Sequence, residues 1–241
     1  MPPLELNHDQ IATLLADGEL TVLGRIAWSS NATFLGEVAG DGVTMRVIYK
    51  PRRGERPLWD FPSGTLCTRE VATYELSDAL GWDLVPPTTL RDGPLGEGMV
   101  QYFVDHDPDE HYFTLLEAHA DRFRRFAVFD VLVNNADRKG GHCLRSLADG
   151  TIVGIDHGLT FHPGWKLRTV IWDFAGERID AADADVVCRA ARLDPPLRRR
   201  LEPFLSSLEL DALQARATAL AEQGTLPDPD PGYHSFPWPL V

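Results

Sequence analysis

The sequence predicts an α+β protein of two lobes, β-rich in its N-terminal part and α-rich in its C-terminal part. Three observations carry this reading. Residues 20–50 form short alternating runs broken by turn residues. Leu115 to Asn134 keeps a 3.6-residue apolar period through Phe123, Phe126, Ala127, Asp130 and Val131, and helical patterns recur after residue 180. The two regimes meet at an acidic segment, Asp105 to Asp109, which reads as a linker and places the lobes at 1–104 and 105–241.

Taken in order, Asn7-His-Asp9 opens a short helix running to Ala16, with Asp9 as its expected cap. Leu20 to Trp28, Phe34 to Val38 and Val43 to Lys50 form a three-stranded meander, the last two strands joined at Ala39-Gly40-Asp41-Gly42. Pro51 to Gly64 is a polar loop carrying Trp59 and Phe61. Thr68 to Leu80 is helical and stops at Gly81. Thr88 to Leu90 and Gly98 to Val104 add two strands. The long helix from Leu115 to Asn134 follows the linker. A hairpin, Cys143 to Leu147 with Thr151 to Ile155, turns at Ala148-Asp149-Gly150. Helices are expected at Asp180 to Leu193, Pro196 to Ser206 and Leu210 to Gln223, before a Pro-rich tail ending in Phe236, Trp238 and Leu240 that either folds back onto the chain, the plainer reading, or docks a partner.

Composition narrows the function classes. A net charge of −13 disfavours nucleic acid, whose phosphates need basic patches. No stretch approaches the ~20 apolar residues of a membrane-spanning helix, so no integral membrane contact is expected. Met1 to Gln10 lacks a basic region followed by an apolar core, so no signal peptide is read there. Three widely spaced cysteines, Cys67, Cys143 and Cys188, read as reduced thiols, which places the chain in the cytoplasm. The Ala, Arg, Asp and Pro bias is that of a GC-rich bacterial coding sequence.

The chemistry concentrates in two stretches. Asn134 to His142 follows a helix and contains Asp137; Gly154 to Gly158 follows a strand and contains Asp156. An acid beside a substrate hydroxyl and a second acid holding Mg²⁺ is what phosphoryl transfer needs. Upstream, Lys50 ends a strand and Glu70 lies early in a helix; a strand lysine held by a helix glutamate can grip phosphates. Ser29-Ser30-Asn31, in the first hairpin, can cap phosphates with backbone N–H groups, though it lacks glycine. Each residue has a plainer reading alone: a polar turn, a strand-ending Asp-x-Gly, a solvated strand end, a helix N-terminal acid. Their joint order carries the argument. A competing reading comes from His142, His157 and His162, which flank the two acids; such a mixture can hold a transition metal and activate water, as in a metal-dependent hydrolase. No His-x-x-x-His pair supports it.

These residues also carry a family resemblance. Asp130-Val-Leu-Val-Asn134-Asn135-Ala-Asp137-Arg138 resembles the catalytic loop of the phosphatidylinositol 3- and 4-kinases, the type II 4-kinases in particular. Ile155-Asp156-His-Gly158-Leu-Thr-Phe161 resembles their metal-binding loop. Tyr49-Lys50-Pro51, Arg69-Glu70-Val-Ala-Thr-Tyr74, Val85-Pro86-Pro87-Thr88 and Arg168-Thr-Val-Ile-Trp172 are similar to other blocks of the family, in the same order, so the resemblance spans roughly residues 20–175. It implies a protein-kinase-like fold and ATP- and Mg²⁺-dependent transfer (or Mn²⁺-dependent) to a hydroxyl of a protein, small molecule or lipid. By the same resemblance Asp137 and Arg138 are catalytic, Lys50 binds ATP phosphates and Glu70 positions it. Ser29, Ser30 and Asn31 cover the phosphates, Met99, Val100, Gln101 and Tyr102 meet adenine, and Asp156 binds the metal. Five residues after Asp137 the family has Asn as a second metal ligand; this chain has His142. That departure keeps a second expectation in view, a catalytically silent nucleotide-binding module.

Overall fold

A computed structural model describes residues 6–27 and 31–241. Among the described residues, five strands form one antiparallel sheet in the order β1-β2-β3-β5-β4. These are β1 (Glu19–Arg25), β2 (Phe34–Gly40), β3 (Val43–Pro51), β4 (Thr88–Gly93) and β5 (Gly96–Tyr102). The meander turns at Asp41-Gly42, with Gly40 paired to Val43. A bulge between Val22 and Gly24 breaks the register of β1 on β2.

Strand alternation gives β3 two different faces. Met45, Val47 and Tyr49 are buried with Val38, Val100 and the helix residues Leu14 and Leu15. Ile48 and Lys50 point the other way. Opposite Pro51, the two strands approach very closely: a Cβ on Gly98 would lie 2.4 Å from the Lys50 carbonyl oxygen and 2.6 Å from Pro51 Cα, so β5 needs glycine here. The helix covering the first face is α1 (His8–Asp17). Its cap is Asn7 rather than Asp9: Asn7 Oδ1 accepts from the Gln10 N–H at 2.9 Å, and Gln10 Oε1 accepts from the Asn7 N–H at 2.9 Å. This reciprocal pair satisfies two helix-end donors at once.

The second face packs on α2 (Leu66–Leu80), through Cys67 and Val71 against Met99. The opposite side of α2, with Ala72, Leu76 and Leu80, belongs to the largest core, which it shares with α4 (Ala120–Val133), α5 (Ala181–Arg192), α6 (Pro195–Leu201) and α7 (Ser207–Gln223). Being buried on both sides, α2 shows a blurred apolar stripe. Polar ties also fix it to the C-terminal helices. Arg69, 1% exposed, pairs with Glu209 and donates to the Thr160 carbonyl at 2.5 Å. Arg200 bonds Glu75 and Asp78, each at 2.7 Å.

Two sequence expectations shift. The helix predicted over 115–134 is broken: a single turn, α3 (Tyr112–Leu115), precedes α4, which starts after His119 without a side-chain cap. The break lets fully buried Tyr112 turn back onto Phe123, with ring centroids 4.9 Å apart and edge-on. The fifth strand begins at Gly96 and ends at Tyr102, two residues earlier than expected at each end, because only Pro94-Leu95 form the turn after β4. The chain therefore leaves the sheet at Phe103 to Asp105. That crossing is held from both sides. The Phe103 N–H donates to the Arg46 carbonyl at 3.1 Å, and the Leu147 N–H donates to the Asp105 carbonyl at 2.8 Å, from the end of the small hairpin β6 (Cys143–Arg145) and β7 (Ile152–Gly154).

Candidate active site

Four separated blocks of sequence converge beneath β3. Lys50 Nζ lies 2.7 Å from Glu70 Oε1 on α2, and the same ammonium bonds Asp156 Oδ1 just past β7. Asp156 sits in the left-handed region, at φ 62° and ψ 49°. Its side chain is half-exposed, while Glu70 is almost fully buried. His142 Nε2 is 3.5 Å from Asp156 Oδ2. Asp137 enters from the loop after α4, its side chain about a quarter exposed and 3.0 Å from Lys139 Nζ.

Electrostatics follow from this crowding. Burial opposes the Lys50 charge, but Asp156 and Glu70 together hold the ammonium protonated beyond the usual lysine range. Lys50 holds the Asp156 carboxyl well below the carboxylate range. Burial, reinforced by the Asp156 charge and opposed by Lys50, pushes Glu70 up to about 7. Asp137 is raised by burial, with Lys139 opposing. Burial lowers His142 to about 4, so it is neutral at pH 7.

The Glu70 shift makes a pH prediction. A carboxyl raised in the folded state binds a proton there that the unfolded chain has released, so its contribution to stability is lost as pH rises from about 4.5 to about 7. Neutral His142 opposes this between about 4 and 6.5, so the contribution is read by difference. Wild type is expected to lose stability relative to Glu70→Gln across that window in urea titrations. Parallel curves would contradict a protonated Glu70.

Arg138, which the resemblance makes catalytic, is fully buried and faces inward. Its Nη2 donates to Asp130 Oδ1 at 3.0 Å and approaches His157 Nε2 at 2.6 Å, while Nη1 reaches the Ile155 carbonyl at 3.4 Å. Asp130 also accepts from Asn135 Nδ2 at 3.0 Å and Thr169 Oγ1 at 3.2 Å. One buried ion pair thus ties α4, the Asp137 loop and the Asp156 loop together. The Asn135 side chain then accepts from the Asp137 N–H at 3.0 Å and sets that residue's position.

Met99 and Val100, which the resemblance sets against adenine, turn their side chains into the interior. Both are fully buried inside β5, Met99 against Cys67 and Val71 and Val100 beside Tyr49, and neither side chain reaches the crossing. Gln101 is buried and donates to Thr88 Oγ1 at 2.8 Å. Tyr102 closes the strand, nearest the crossing. Asn31 accepts from the Arg56 N–H at 2.9 Å, which anchors its loop to the segment after β3. Ser29 and Ser30 lie outside the described residues.

Lysine is rare in this chain. Of 23 Lys and Arg residues only Lys50, Lys139 and Lys166 are lysine. Two of the three stand here, Lys50 on Asp156 and Lys139 on Asp137, while the Lys166 ammonium pairs with Asp60 at 2.7 Å. In a chain that otherwise uses Arg, a compact, strongly hydrated ammonium stands at each of these two acids. The tail does fold back, as expected. The Ser235 carbonyl accepts from the Thr169 N–H at 3.1 Å and Trp172 Nε1 at 3.0 Å, and the Leu240 carbonyl accepts from the Gly140 N–H at 2.7 Å. A Cβ on Gly140 would meet the Phe113 ring at 3.1 Å, so glycine admits this approach.

The donor set suits a divalent ion shared with phosphates. Half-exposed Asp156 offers a carboxylate and neutral His142 an imidazole, and Mg²⁺ commonly takes one or two carboxylates plus phosphate oxygens and water. Imidazole favours Mn²⁺ over Mg²⁺ in relative terms. Among the described residues, no group of three or more His, Cys, Asp or Glu side chains converges as a self-sufficient metal cage. No helix of the described residues is long and apolar enough to cross a membrane.

A sheet half and a helical half around a Lys–Glu–Asp constellation is the architecture of the kinase-like proteins, and solved structures agree. The Helicobacter pylori proinflammatory kinase CtkA matches with a TM-score of 0.54 at 13% identity, covering 88% of this chain and 94% of its own. Hydra Fam20, solved with sugar, matches with a TM-score of 0.56 at 14% identity, covering 91% and 90%. At such identities the likeness establishes the fold alone. In sequence, the model of the phosphatidylinositol 3- and 4-kinase family matches residues 89–181. Protein Rv2133c of Mycobacterium tuberculosis (strain ATCC 25618 / H37Rv) is 44% identical over 272 aligned positions, covering 98% of this chain and 97% of the relative. The chain belongs to one family with that protein, a bacterial group related to the phosphatidylinositol 3- and 4-kinases.

Proposed function

We propose that the chain transfers the γ-phosphoryl group of ATP to a hydroxyl acceptor. The observation that carries this is the single ammonium of Lys50 joined to both Glu70 and Asp156, with Asp137 within electrostatic reach of Asp156. Fold alone does not assign an activity; this constellation supports one.

In the proposed reaction the acceptor oxygen attacks the γ-phosphorus and forms the new O–P bond. The bond from that phosphorus to the β–γ bridging oxygen breaks, and ADP leaves. Asp137 takes or orients the acceptor proton, and its raised pKa makes it a better base than an exposed aspartate. Lys50 exchanges its contact with Asp156 for the phosphates while Glu70 keeps it aligned. Asp156, with His142 beside it, would hold Mg²⁺ or Mn²⁺, which when bound neutralises phosphate charge. Adenine would meet the backbone of Tyr102 to Val104, where the chain leaves the sheet, rather than Met99 and Val100. The acceptor is a protein, a small molecule or a lipid, and Lys139 stands beside Asp137 where it would approach. A cytoplasmic location is part of this reading.

One observation favours a second reading. Where relatives in the kinase family present an amide, this chain presents His142, and a module that binds nucleotide without turnover would tolerate that change.

Thermal unfolding tests nucleotide binding directly. ATP with Mg²⁺ or Mn²⁺ at 100 times Kd is expected to stabilise the protein by ~2.7 kcal/mol, and Asp156→Ala to lose the metal-dependent part. A shift without ATP turnover would select the silent module. No shift with any nucleotide would end both readings.

A further inference from the structure

Residues 230–241 run past the segment 168–172 and end on Gly140, and they hold none of the groups of the proposed reaction. Their polar contacts fall on the frame of the Asp137 loop. Arg168 brackets Asp137 with its backbone: its N–H donates to the Asn135 carbonyl at 2.8 Å, and its carbonyl accepts from the Arg138 N–H at 3.0 Å. Its side chain is held by the tail. Nε donates to the Tyr233 hydroxyl at 3.2 Å, and the guanidinium lies 5.5 Å from the centre of the Tyr233 ring. The next residue repeats the tie, the Thr169 N–H donating to the Ser235 carbonyl at 3.1 Å. At the far end of the loop the Gly140 N–H donates to the Leu240 carbonyl at 2.7 Å. The loop that carries Asp137 is thus tied to the tail on both sides.

The arrangement does little for the core. Phe236 is 52% and Trp238 87% exposed, so the tail's largest apolar side chains stay largely in water. Hydrophobic stabilisation scales with the apolar area buried, and a segment kept for stability alone would turn these rings inward. What the tail supplies is directional: hydrogen bonds to a loop whose own Lys139-Gly140-Gly141 run gives it little stiffness. Misplacing a reacting group by about 1 Å costs on the order of 10²-fold in rate, so a base followed closely by two glycines needs support from outside its loop.

We propose that the tail positions Asp137 for catalysis, Tyr233 acting through Arg168 and the Leu240 carbonyl acting through Gly140. This rests on the reading of Asp137 as the group that takes or orients the acceptor proton. Tyr233 is a positioning residue and takes no part in the proton transfer itself.

The test pairs ATP turnover with backbone hydrogen exchange in the full chain. Tyr233→Ala is expected to lower kcat by roughly 10–100-fold, with KM for ATP within about twofold and Tm within about 3 °C of wild type. Tyr233→Phe keeps the ring beneath Arg168 and is expected to recover most of the loss. Tyr233→Ala combined with Arg168→Met is expected to be no slower than the slower single variant, because both remove one contact. Exchange at the Arg138 and Gly140 amides is expected to quicken by roughly tenfold in Tyr233→Ala, while the amides of α4 keep their rates. Trp172→Phe, which removes the Nε1 bond to the Ser235 carbonyl, repeats both measurements if Tyr233→Ala does not fold. If wild type turns over no ATP, the phosphotransfer reading fails, and the two amides alone decide whether the tail holds the loop. The proposal is overturned by a Tyr233→Ala kcat within twofold of wild type, by additive losses in the double variant, or by unchanged exchange at both amides.

Discussion

Asp137→Asn is expected to slow ATP turnover by ~10²–10⁴-fold, the usual contribution of a positioned acid–base group, or about 3–5 kcal/mol of barrier. Basal hydrolysis, in which water replaces the acceptor, provides the assay. Binding of ATP and metal is expected to survive, because Lys50, Glu70 and Asp156 are untouched. So is the fold: the Asp137 carboxylate pairs only with Lys139 among the described residues, and the contact that sets its position is made by its backbone N–H to Asn135. Turnover within tenfold of wild type would remove Asp137 from the base role. Loss of nucleotide binding would mean the residue acts on structure instead.

The second large effect is on stability. Asp130→Ala is expected to destabilise the protein by ~3–5 kcal/mol, because it leaves the Arg138 guanidinium buried with no counter-ion. Asp130 and Arg138 are both fully buried, and the loss strips acceptors from Asn135 and Thr169 as well. For a chain of this size that is a fall in Tm of roughly 6–20 °C. A double variant, Asp130→Leu with Arg138→Met, is expected to be less harmful than Asp130→Ala, since both charges leave together. Urea titration measures all three. A single-variant cost below about 1 kcal/mol would show that the ion pair does not tie the two loops.

The contrast between these two adjacent residues shows where sequence reading stops. Asp137 and Arg138 sit side by side in one motif and resemble one catalytic pair. The turn after α4 sends the first toward the cleft and the second into the core. Spacing reports the block; it does not report which way each side chain leaves the loop. The same holds on β5. Met99 and Val100 fall in the right block, but a two-residue turn at Pro94-Leu95 moves the strand's exit to Phe103 and leaves both in the interior. The α3–α4 break had no Gly or Pro to announce it, because its cause is the distant packing of Tyr112 on Phe123.

Other features were open to counting. The rarity of lysine needed no structure to be noticed; the pairing of Lys50 with Asp156 and of Lys139 with Asp137 did. The Arg69–Glu209 pair, 140 residues apart in sequence, had no local signal at all.

By itself the sequence determined the α+β class, the order of sheet and helices, and the succession Lys50, Glu70, Asp137, Asp156. Those properties are local: periodicity, turn residues and motif order are written within windows of a few residues. Tertiary structure decided that Lys50 serves two acids, that Arg138 faces inward, and that the tail ends on Gly140. Each depends on which distant groups share a buried space, and desolvation there selects partners that no neighbouring residue encodes.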